Sequence, residues 1–266
     1  MTEITPFQTL FAVPMTCDGC VKDISGALYK LPGITKVEAN LQDQLVTVEG
    51  TAPPSKIVET IQATGRDAIL RGSGGSNNAA VSILETYHHK FREDAAREEA
   101  AHGNSTTNDI GLNERLVRGL ARMVQVNPTT TLVDLTVRGV APGKYRATIR
   151  EYGDLKDGAT STGPVWAAKS ESGPRGVLGT IEIGKDGEGS AFLSQTFQVW
   201  EVIGHALVVA PEKENGEEEE LKNDEDTIVG VIARSAGVWD NDKTVCSCTG
   251  KTLWEERKDE VRKGML

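Results

Sequence analysis

Two pairs of closely spaced cysteines are the residues most able to carry chemistry in this chain. Cys17 and Cys20 are separated by two residues in "VPMTCDGCVKDI", and Cys246 and Cys248 by a single serine in "TVCSCTG". Two close pairs differ from the many spaced cysteines of small secreted disulfide scaffolds. In a reducing compartment, close pairs bind metal or exchange electrons. The two pairs are therefore the candidate chemical sites.

The first pair is placed to hold a soft metal ion. Cys17 and Cys20 lie where a predicted helix begins, and the free backbone N–H groups and positive dipole end there favour thiolate over thiol. Zinc prefers four ligands, and residues 5–70 contain no His and no further Cys. Cu(I) is content with two sulfurs and fits better. We expect Met15 to pack and fix the loop, not to bind metal. A redox dithiol or two incidental thiols are the alternatives.

The second pair lies in a charged, Gly-flanked tail, residues 237–266, in which "TLWEERKDEVRKGML" predicts a short helix at most. A disulfide across one residue is strained, and strained disulfides oxidise other thiols. When reduced, Cys246 and Cys248 could bind Cu(I) or share a cluster with another pair. The tail is thus predicted to carry metal, electrons or both, with incidental thiols as the alternative.

The elements that position the first pair alternate between strand and helix. A strand "TLFAVP", a helix "CVKDISGALYKL", a hairpin of "ITKVEANL" and "QLVTVEG", a helix "PSKIVETIQATG" and a short strand "DAIL" follow in order. This βαββαβ order predicts a ferredoxin-like α+β domain at residues 1–70. The next stretch, "RGSGGSNN" at 71–78, has no side chains able to hold a fixed packing, and it predicts a flexible linker.

Residues 79–236 predict an all-β domain. Eight strand-like segments, from "AAVSILETY" to "TIVGVIARS", are separated by Gly, Pro, Asn and Asp clusters. They indicate a Greek-key barrel or sandwich. A charged insertion at 88–109 is expected to be disordered. The acidic run "PEKENGEEEELKNDEDT" is expected to be a solvated surface loop.

The composition excludes several classes of protein. A net charge of −10 argues against nucleic-acid binding, because that affinity depends on Lys and Arg displacing counterions. The apolar runs are far shorter than the roughly 20 residues of a membrane span, so no stable membrane insertion is expected. The opening "MTEITPFQTL" lacks Lys, Arg and a long apolar core, so neither a secretory signal nor a transit peptide is predicted. The cytoplasm is the expected location.

Residues 5–70 resemble the heavy-metal-associated domain family of copper chaperones and copper-pump modules. The family hallmark M-x-C-x-x-C appears as "MTCDGC" at residues 15–20. The resemblance implies a copper site at Cys17 and Cys20.

The middle domain resembles the copper/zinc superoxide dismutases in "IREYGDLKDGATSTGPVWAA", "VIGHALVV" and "GVIARSAG". The metal ligands of that family are missing. Its copper-histidine positions hold Thr148, Arg150, Val165 and Ala210, and Val177 replaces its zinc-binding aspartate. The four histidines of the chain, which cannot rebuild the site, are His88, His89, His102 and His205. Ala159 and Val229 stand near the family's disulfide positions. The resemblance implies a barrel that is not an enzyme and is kept as a binding surface.

The three parts together resemble the family of copper chaperones for superoxide dismutase, in a form like those of fungi. The resemblance implies that Cu(I) is delivered to copper/zinc superoxide dismutase and that the target's disulfide is oxidised, with Cys246 and Cys248 performing both steps. It implies a heterodimer with the immature enzyme and a homodimer when the partner is absent. The predicted interface residues lie at 154–163 and 230–234: Asp154, Gly163, Gly230 and Arg234.

Other functions are also compatible with these residues. One is an active dismutase fused to a copper-delivery domain, although the missing histidines argue against it. The others are a copper-sequestering protein without a client and a thiol oxidoreductase acting on many substrates. The location is equally open, because relatives also occupy the mitochondrial intermembrane space and the nucleus.

Overall fold

The computed structural model describes residues 5–87, 117–167, 175–212, 220–240 and 251–262. Cys246, Cys248 and the insertion predicted at 88–109 lie outside these ranges. Within them, no helix has the length and apolar character needed to cross a membrane.

The first unit has the predicted βαββαβ order. Its elements are β1 (Phe7–Ala12), α1 (Asp18–Leu28), β2 (Ile34–Asn40), β3 (Leu45–Gly50), α2 (Pro54–Gln62) and β4 (Ile69–Ser73). The strands form an antiparallel sheet in the order β2-β3-β1-β4. Ile24 and Leu28 of α1 and Ile57 and Ile61 of α2 pack with the sheet in one buried cluster. The ferredoxin-like prediction is confirmed.

The second unit is all-β. Its strands are β5 (Ala79–Thr86), β6 (Val117–Asn127), β7 (Thr130–Arg138), β8 (Gly143–Ile149), β9 (Val177–Ile183), β10 (Glu188–Gln195), β11 (Ala206–Pro211), β12 (Ile228–Val231) and β13 (Ala233–Arg234). They pair in the order β10-β7-β6-β5-β12-β11-β8-β9, and β13 pairs with β5. A short turn joins β9 to β10, and these two end strands of the path contact each other. The sheet therefore rolls into a barrel-like body, as predicted.

All eight predicted strands are present, with two local differences. The last one is divided into β12 and β13. The segment "SAFLSQTFQVW" ends earlier as a strand, because Val199–Val202 forms a short helix, α3. Gln198 and Glu201 form a capping box at the start of α3, which satisfies backbone N–H groups that a strand would have paired with a neighbour. In the described part of the tail, residues 251–262, lies the helix α4 (Leu253–Arg262).

The stretch predicted as a flexible linker, 71–78, is in close contact with both units. Residues 71–73 continue β4, and the Gly74 N–H donates to the Gln8 carbonyl at 2.8 Å. At Gly72, an added Cβ would lie 2.1 Å from the Gly237 carbonyl oxygen. The glycine here permits a close backbone approach, which sequence composition alone does not distinguish from flexibility. The domain limits themselves stay a prediction.

A buried polar contact joins the two units. Asp134 of β7 is 3% exposed, and its carboxylate accepts the Ser55 N–H at 2.8 Å and the Ser55 hydroxyl at 2.7 Å. Since Ser55 lies in the first turn of α2, a carboxylate of the barrel satisfies a free N–H of a helix in the first unit. Burial raises the pKa of Asp134, while Arg122, 3.7 Å away, and Ser55 oppose that rise. Phe7 packs nearby against barrel residues.

Candidate functional site

The first cysteine pair lies where the loop after β1 meets α1, with Cys17 as the N-cap residue and Cys20 in the first turn of the helix. The two sulfur atoms are 3.7 Å apart, both thiols are free, and Cys17 is exposed while Cys20 is half-buried. The Val13 N–H donates to the Gln44 carbonyl at 2.9 Å, and Met15 is buried in the core of the first unit. Met15 therefore packs beneath the loop, as predicted.

The local backbone explains how the two sulfurs come together. Cys17 is the N-cap of α1, with an extended backbone, and the Cys20 N–H donates to the Cys17 carbonyl at 3.0 Å. That first turn places residues three apart on the same side of the helix. A Cβ at Gly19 would be 3.4 Å from the Cys17 sulfur, so the glycine keeps that side of the sulfur open.

The thiol of Cys20 is acidified by its neighbours. Hydrogen bonds from the backbone and hydroxyl of Thr16, then from the Arg66 guanidinium and the Cys17 backbone, lower the pKa of Cys20 to about 6. Arg66 is itself held by the Asp23 carboxylate at 3.1 Å and the Thr64 carbonyl at 3.1 Å. A thiolate is therefore present at neutral pH, and thiolate is the form that binds soft metal ions.

Sequence reasoning missed Arg66 and Thr16. A signal for Arg66 was available, because it follows the Gly65 that ends the second predicted helix. In an antiparallel pair, the end of one strand lies beside the start of its neighbour, and Ala12 of β1 indeed pairs with Ile69 of β4. The loop before β4 therefore lies beside the cysteine loop. Together the two loops present an acidified sulfur pair to solvent, suited to a monovalent soft ion.

The metal positions of the barrel are filled by other contacts. Arg150 is 6% exposed, and its Nε and Nη2 donate to the Gly163 carbonyl at 3.0 and 2.6 Å. Thr148 is buried, and Val165 forms an isolated bridge with Arg150. The His205 Nδ1 donates to the Arg150 carbonyl at 2.7 Å, so this ring nitrogen is already engaged. Among the described residues, no three His, Cys, Asp or Glu side chains form a metal-binding group.

The remaining replaced positions hold apolar side chains, one of them exposed and the others in an apolar cluster. Val177 is exposed on β9. Ala159 and Val229 are buried together in a small apolar cluster with Ala206 and Val208, against which Ala210 packs. An apolar cluster thus lies at the positions where the copper/zinc superoxide dismutases, which the barrel resembles, have their disulfide.

Two of the four predicted interface residues, Gly163 and Gly230, lie beside members of a group of three exposed apolar side chains. We call these three the apolar patch: Ile83, Tyr152 and Val231, which are 53%, 56% and 36% exposed. The pairing of Ile228 with Thr86, continued along β12 and β5, places Val231 opposite Ile83. A Cβ added to Gly153 would be 3.6 Å from Val231, so Tyr152 begins its loop beside the same patch.

The predicted residues themselves are in different environments. Gly163 lies under the Tyr152 ring, where an added Cβ would be 2.5 Å away. Gly230 is buried, and a Cβ there would be 1.9 Å from the Ile83 carbonyl oxygen. Asp154 and Arg234 are exposed, and Asp154 accepts the Lys156 N–H at 2.9 Å. The glycines therefore lie against the patch, whereas Asp154 is near Tyr152 in the chain and the Arg234 guanidinium donates to the Asn77 Oδ1 at 3.5 Å.

A free sulfur pair on one unit, beside a barrel whose described residues form no metal-binding group, is typical of a metal-carrying protein. Comparison with protein families agrees. A heavy-metal-associated domain model matches residues 9–67, and a copper/zinc superoxide dismutase (SODC) model matches residues 117–232.

Curated relatives match nearly the whole chain. The superoxide dismutase 1 copper chaperone of Saccharomyces cerevisiae is 41% identical over 98% of this chain and 98% of the relative. The protein of that name from Debaryomyces hansenii is 40% identical over 97% and 98%. The copper chaperone for superoxide dismutase of Homo sapiens is 31% identical over 93% and 88%. The chain belongs to the family of copper chaperones for superoxide dismutase, and the prediction of a copper chaperone that is not an enzyme is confirmed.

Proposed function

We propose that this chain delivers Cu(I) to copper/zinc superoxide dismutase after docking to it as a heterodimer, and that its tail promotes formation of the target's disulfide. The observation that carries the proposal is an exposed apolar patch on a dismutase-like barrel whose own metal positions are filled. The acidified sulfur pair of the first unit supplies the means of holding the cargo ion.

Docking is assigned to the apolar patch. Ile83, Tyr152 and Val231 are large apolar side chains left in water on ordered elements, which is typical of a contact surface. Asp154 and Arg234, both exposed, would add one charge of each sign to the docking surface. A barrel of the same fold can present a matching surface, and paired barrels of this kind pack through equivalent patches. Without the partner, the same patch would favour a homodimer.

Copper is assigned first to Cys17 and Cys20, and its insertion into the target to Cys246 and Cys248 of the tail. In the disulfide step, a target thiolate attacks the tail disulfide and forms a mixed disulfide. The second target thiolate then releases the reduced tail, so the target loses two electrons and the tail gains them. The cytoplasm stays the predicted location, and the mitochondrial intermembrane space and the nucleus stay predicted as additional locations of a fraction of the protein.

The roles of the two cysteine pairs are tested by activating metal-free dismutase with the Cu(I)-loaded chain. We expect wild type to restore dismutase activity and Cys246→Ser with Cys248→Ser to fail. We expect Cys17→Ser with Cys20→Ser to matter mainly when copper is scarce. If the tail variant activates the target as fast as wild type, the tail has no essential role.

The docking assignment is tested by placing a charge in the patch. Ile83→Asp and Val231→Asp should each weaken association with metal-free dismutase, measured by analytical ultracentrifugation. Val177→Asp is the matched control, because Val177 is also an exposed apolar residue of the barrel but lies on β9. A copper-sequestering protein without a client would instead show no association for wild type either.

A further inference from the structure

The loop from Tyr152 to Gly163 carries part of the apolar patch, and its conformation is fixed by hydrogen bonds to its two ends. The Tyr152 N–H donates to the Thr162 carbonyl at 3.0 Å, and the Glu151 N–H donates to the Pro164 carbonyl at 2.9 Å. Thr162 is fully buried. The position of Tyr152 at the surface therefore depends on the end of this loop staying where it is.

Arg150 holds that end of the loop. Its guanidinium donates two hydrogen bonds to the Gly163 carbonyl, at 3.0 and 2.6 Å, and Gly163 lies directly under the Tyr152 ring. A buried cation costs desolvation energy that an apolar side chain of similar size would not cost. The arginine is therefore explained by the backbone it binds, not by the space it fills.

Asn223 holds the middle of the loop from the opposite side. Its Oδ1 accepts the Ala159 N–H at 2.8 Å, and its Nδ2 donates to the Asp157 carbonyl at 2.7 Å. Ala159 is also packed in the apolar cluster with Val229. The carboxamide and the cluster together tie the loop to the strands at the place where the resembling family uses a disulfide.

We propose that Arg150 and Asn223 are positioning residues for partner binding. They hold the loop, and through it Tyr152, in a docking conformation that needs neither a metal ion in the barrel nor a disulfide. The chaperone thus presents the surface of a finished subunit at every stage of its own copper cycle. This inference rests on the proposed docking function.

The first test follows the loop itself by hydrogen exchange and needs no partner. In the full chain, Arg150→Met keeps the length and packing of the side chain but removes its donors. Loss of hydrogen bonds from a charged group predicts about tenfold or faster exchange in peptides covering residues 152–163. Arg146→Met is the matched control, because Arg146 lies on β8, four residues before Arg150, but binds Glu212. Unchanged exchange in the Arg150 variant would overturn the proposal.

The second test measures affinity for reduced, metal-free dismutase. The chain carries Cys246→Ser and Cys248→Ser so that no disulfide forms with the partner. We expect equal dissociation constants for the Cu(I)-loaded and metal-stripped chain, and an increase of about tenfold or more for Arg150→Met. A dependence on the chain's own metal, or an unchanged constant in the variant, would contradict the proposal.

Rescue separates positioning from simple packing. Arg150→Lys restores a donor but packs less well than Met, so a positioning role predicts that Lys binds the partner more tightly than Met does. The opposite order would mean that Arg150 only fills space.

Asn223→Ala, at a position that is only half-buried, is the second variant if Arg150→Met does not fold, and it should also loosen the loop and weaken binding. If wild type itself does not bind dismutase, the proposed function fails, while the exchange experiment still reports on the loop.

Discussion

Arg66 of the first unit and Arg150 of the barrel each lie at or beside a metal position of the family that their unit resembles, yet they make different contacts there. Arg66 lies beside a sulfur pair at the surface and stabilises the thiolate of Cys20. Arg150 is buried in the barrel and donates to the Gly163 carbonyl, at a position where the resembling enzymes have a copper ligand. In the proposed function, an arginine therefore supports a metal site when it lies next to the proposed ligands, whereas no ligand is left where an arginine takes a ligand's place.

This comparison separates the two tasks of the molecule. In the proposed function, the first unit keeps the ionised sulfur ligands accessible, and the second unit supplies the surface for recognition. Each prediction below changes one of these regions and asks whether the other responds.

The largest effect is expected from removing the sulfur pair. In a chain that already carries Cys246→Ser and Cys248→Ser, Cys17→Ser with Cys20→Ser should abolish Cu(I) binding in competition with a chromogenic chelator, because no thiolate remains. Association with metal-free dismutase should stay within about twofold of the parent chain. Retained Cu(I) binding would show a second copper site in the molecule and contradict the assignment of copper binding to the first unit.

The next largest effect is expected from breaking the contact between Asp134 and Ser55 that joins the two units. Asp134→Ala leaves Arg122 buried without its carboxylate and α2 without its cross-unit acceptor, so we expect unfolding to become easier by about 3 kcal/mol. Urea denaturation of the metal-free chain measures this, with Lys185→Ala at an exposed turn as the control. A loss confined to the barrel signal, with the first unit unaffected, would show that the two regions are energetically separate.

Removing one aromatic side chain from the patch should affect recognition alone. Tyr152→Ala is expected to weaken dismutase binding by about 2 kcal/mol, or roughly thirtyfold, which is typical of an aromatic residue central to an interface. Tyr29→Ala is the matched control, because Tyr29 is 55% exposed but lies in the first unit. Cu(I) affinity should be unchanged in both variants. An equal loss of binding in the two would remove the patch from the interface.

The smallest effect concerns the pH dependence of the sulfur site. Arg66→Ala should raise the pKa of Cys20 above its present value of about 6. Because the folded pKa is lowered, the thiolate's contribution to stability is complete above the ordinary thiol pKa and is lost as the pH falls through about 6. The rate of alkylation of Cys20 against pH, followed by mass spectrometry, measures the shift, with Lys22→Ala as control. An unchanged profile would leave Thr16 as the main cause.

The sequence was sufficient for the features that repeat along the chain or lie close together in it. Hydrophobic periodicity predicts the βαββαβ order, and the spacing of Cys17 and Cys20 predicts a sulfur pair at a helix start. The absence of histidines at the metal positions predicts an inactive barrel. These conclusions depend on residue type and local spacing alone.

The features that escaped prediction depend on contacts between distant segments. Ser55 and Asp134 are 79 positions apart, and the sequence near neither residue indicates that Asp134 caps the helix that contains Ser55. The docking role proposed for Tyr152 depends on β5 and β12 lying beside its loop. The contacts of Gly72 with Gly237 likewise join segments that composition treats as a linker and a tail.

The cross-unit cap formed by Asp134 has a consequence for how the molecule responds to its cargo. Since a carboxylate of the barrel caps the start of α2, unfolding of either unit leaves a polar group of the other unit without its hydrogen-bond partner. The two units are therefore expected to unfold together. Any ion that binds only the native form shifts such a shared equilibrium by mass action. Copper held by the sulfur pair would then raise the melting temperature of a barrel that it never touches.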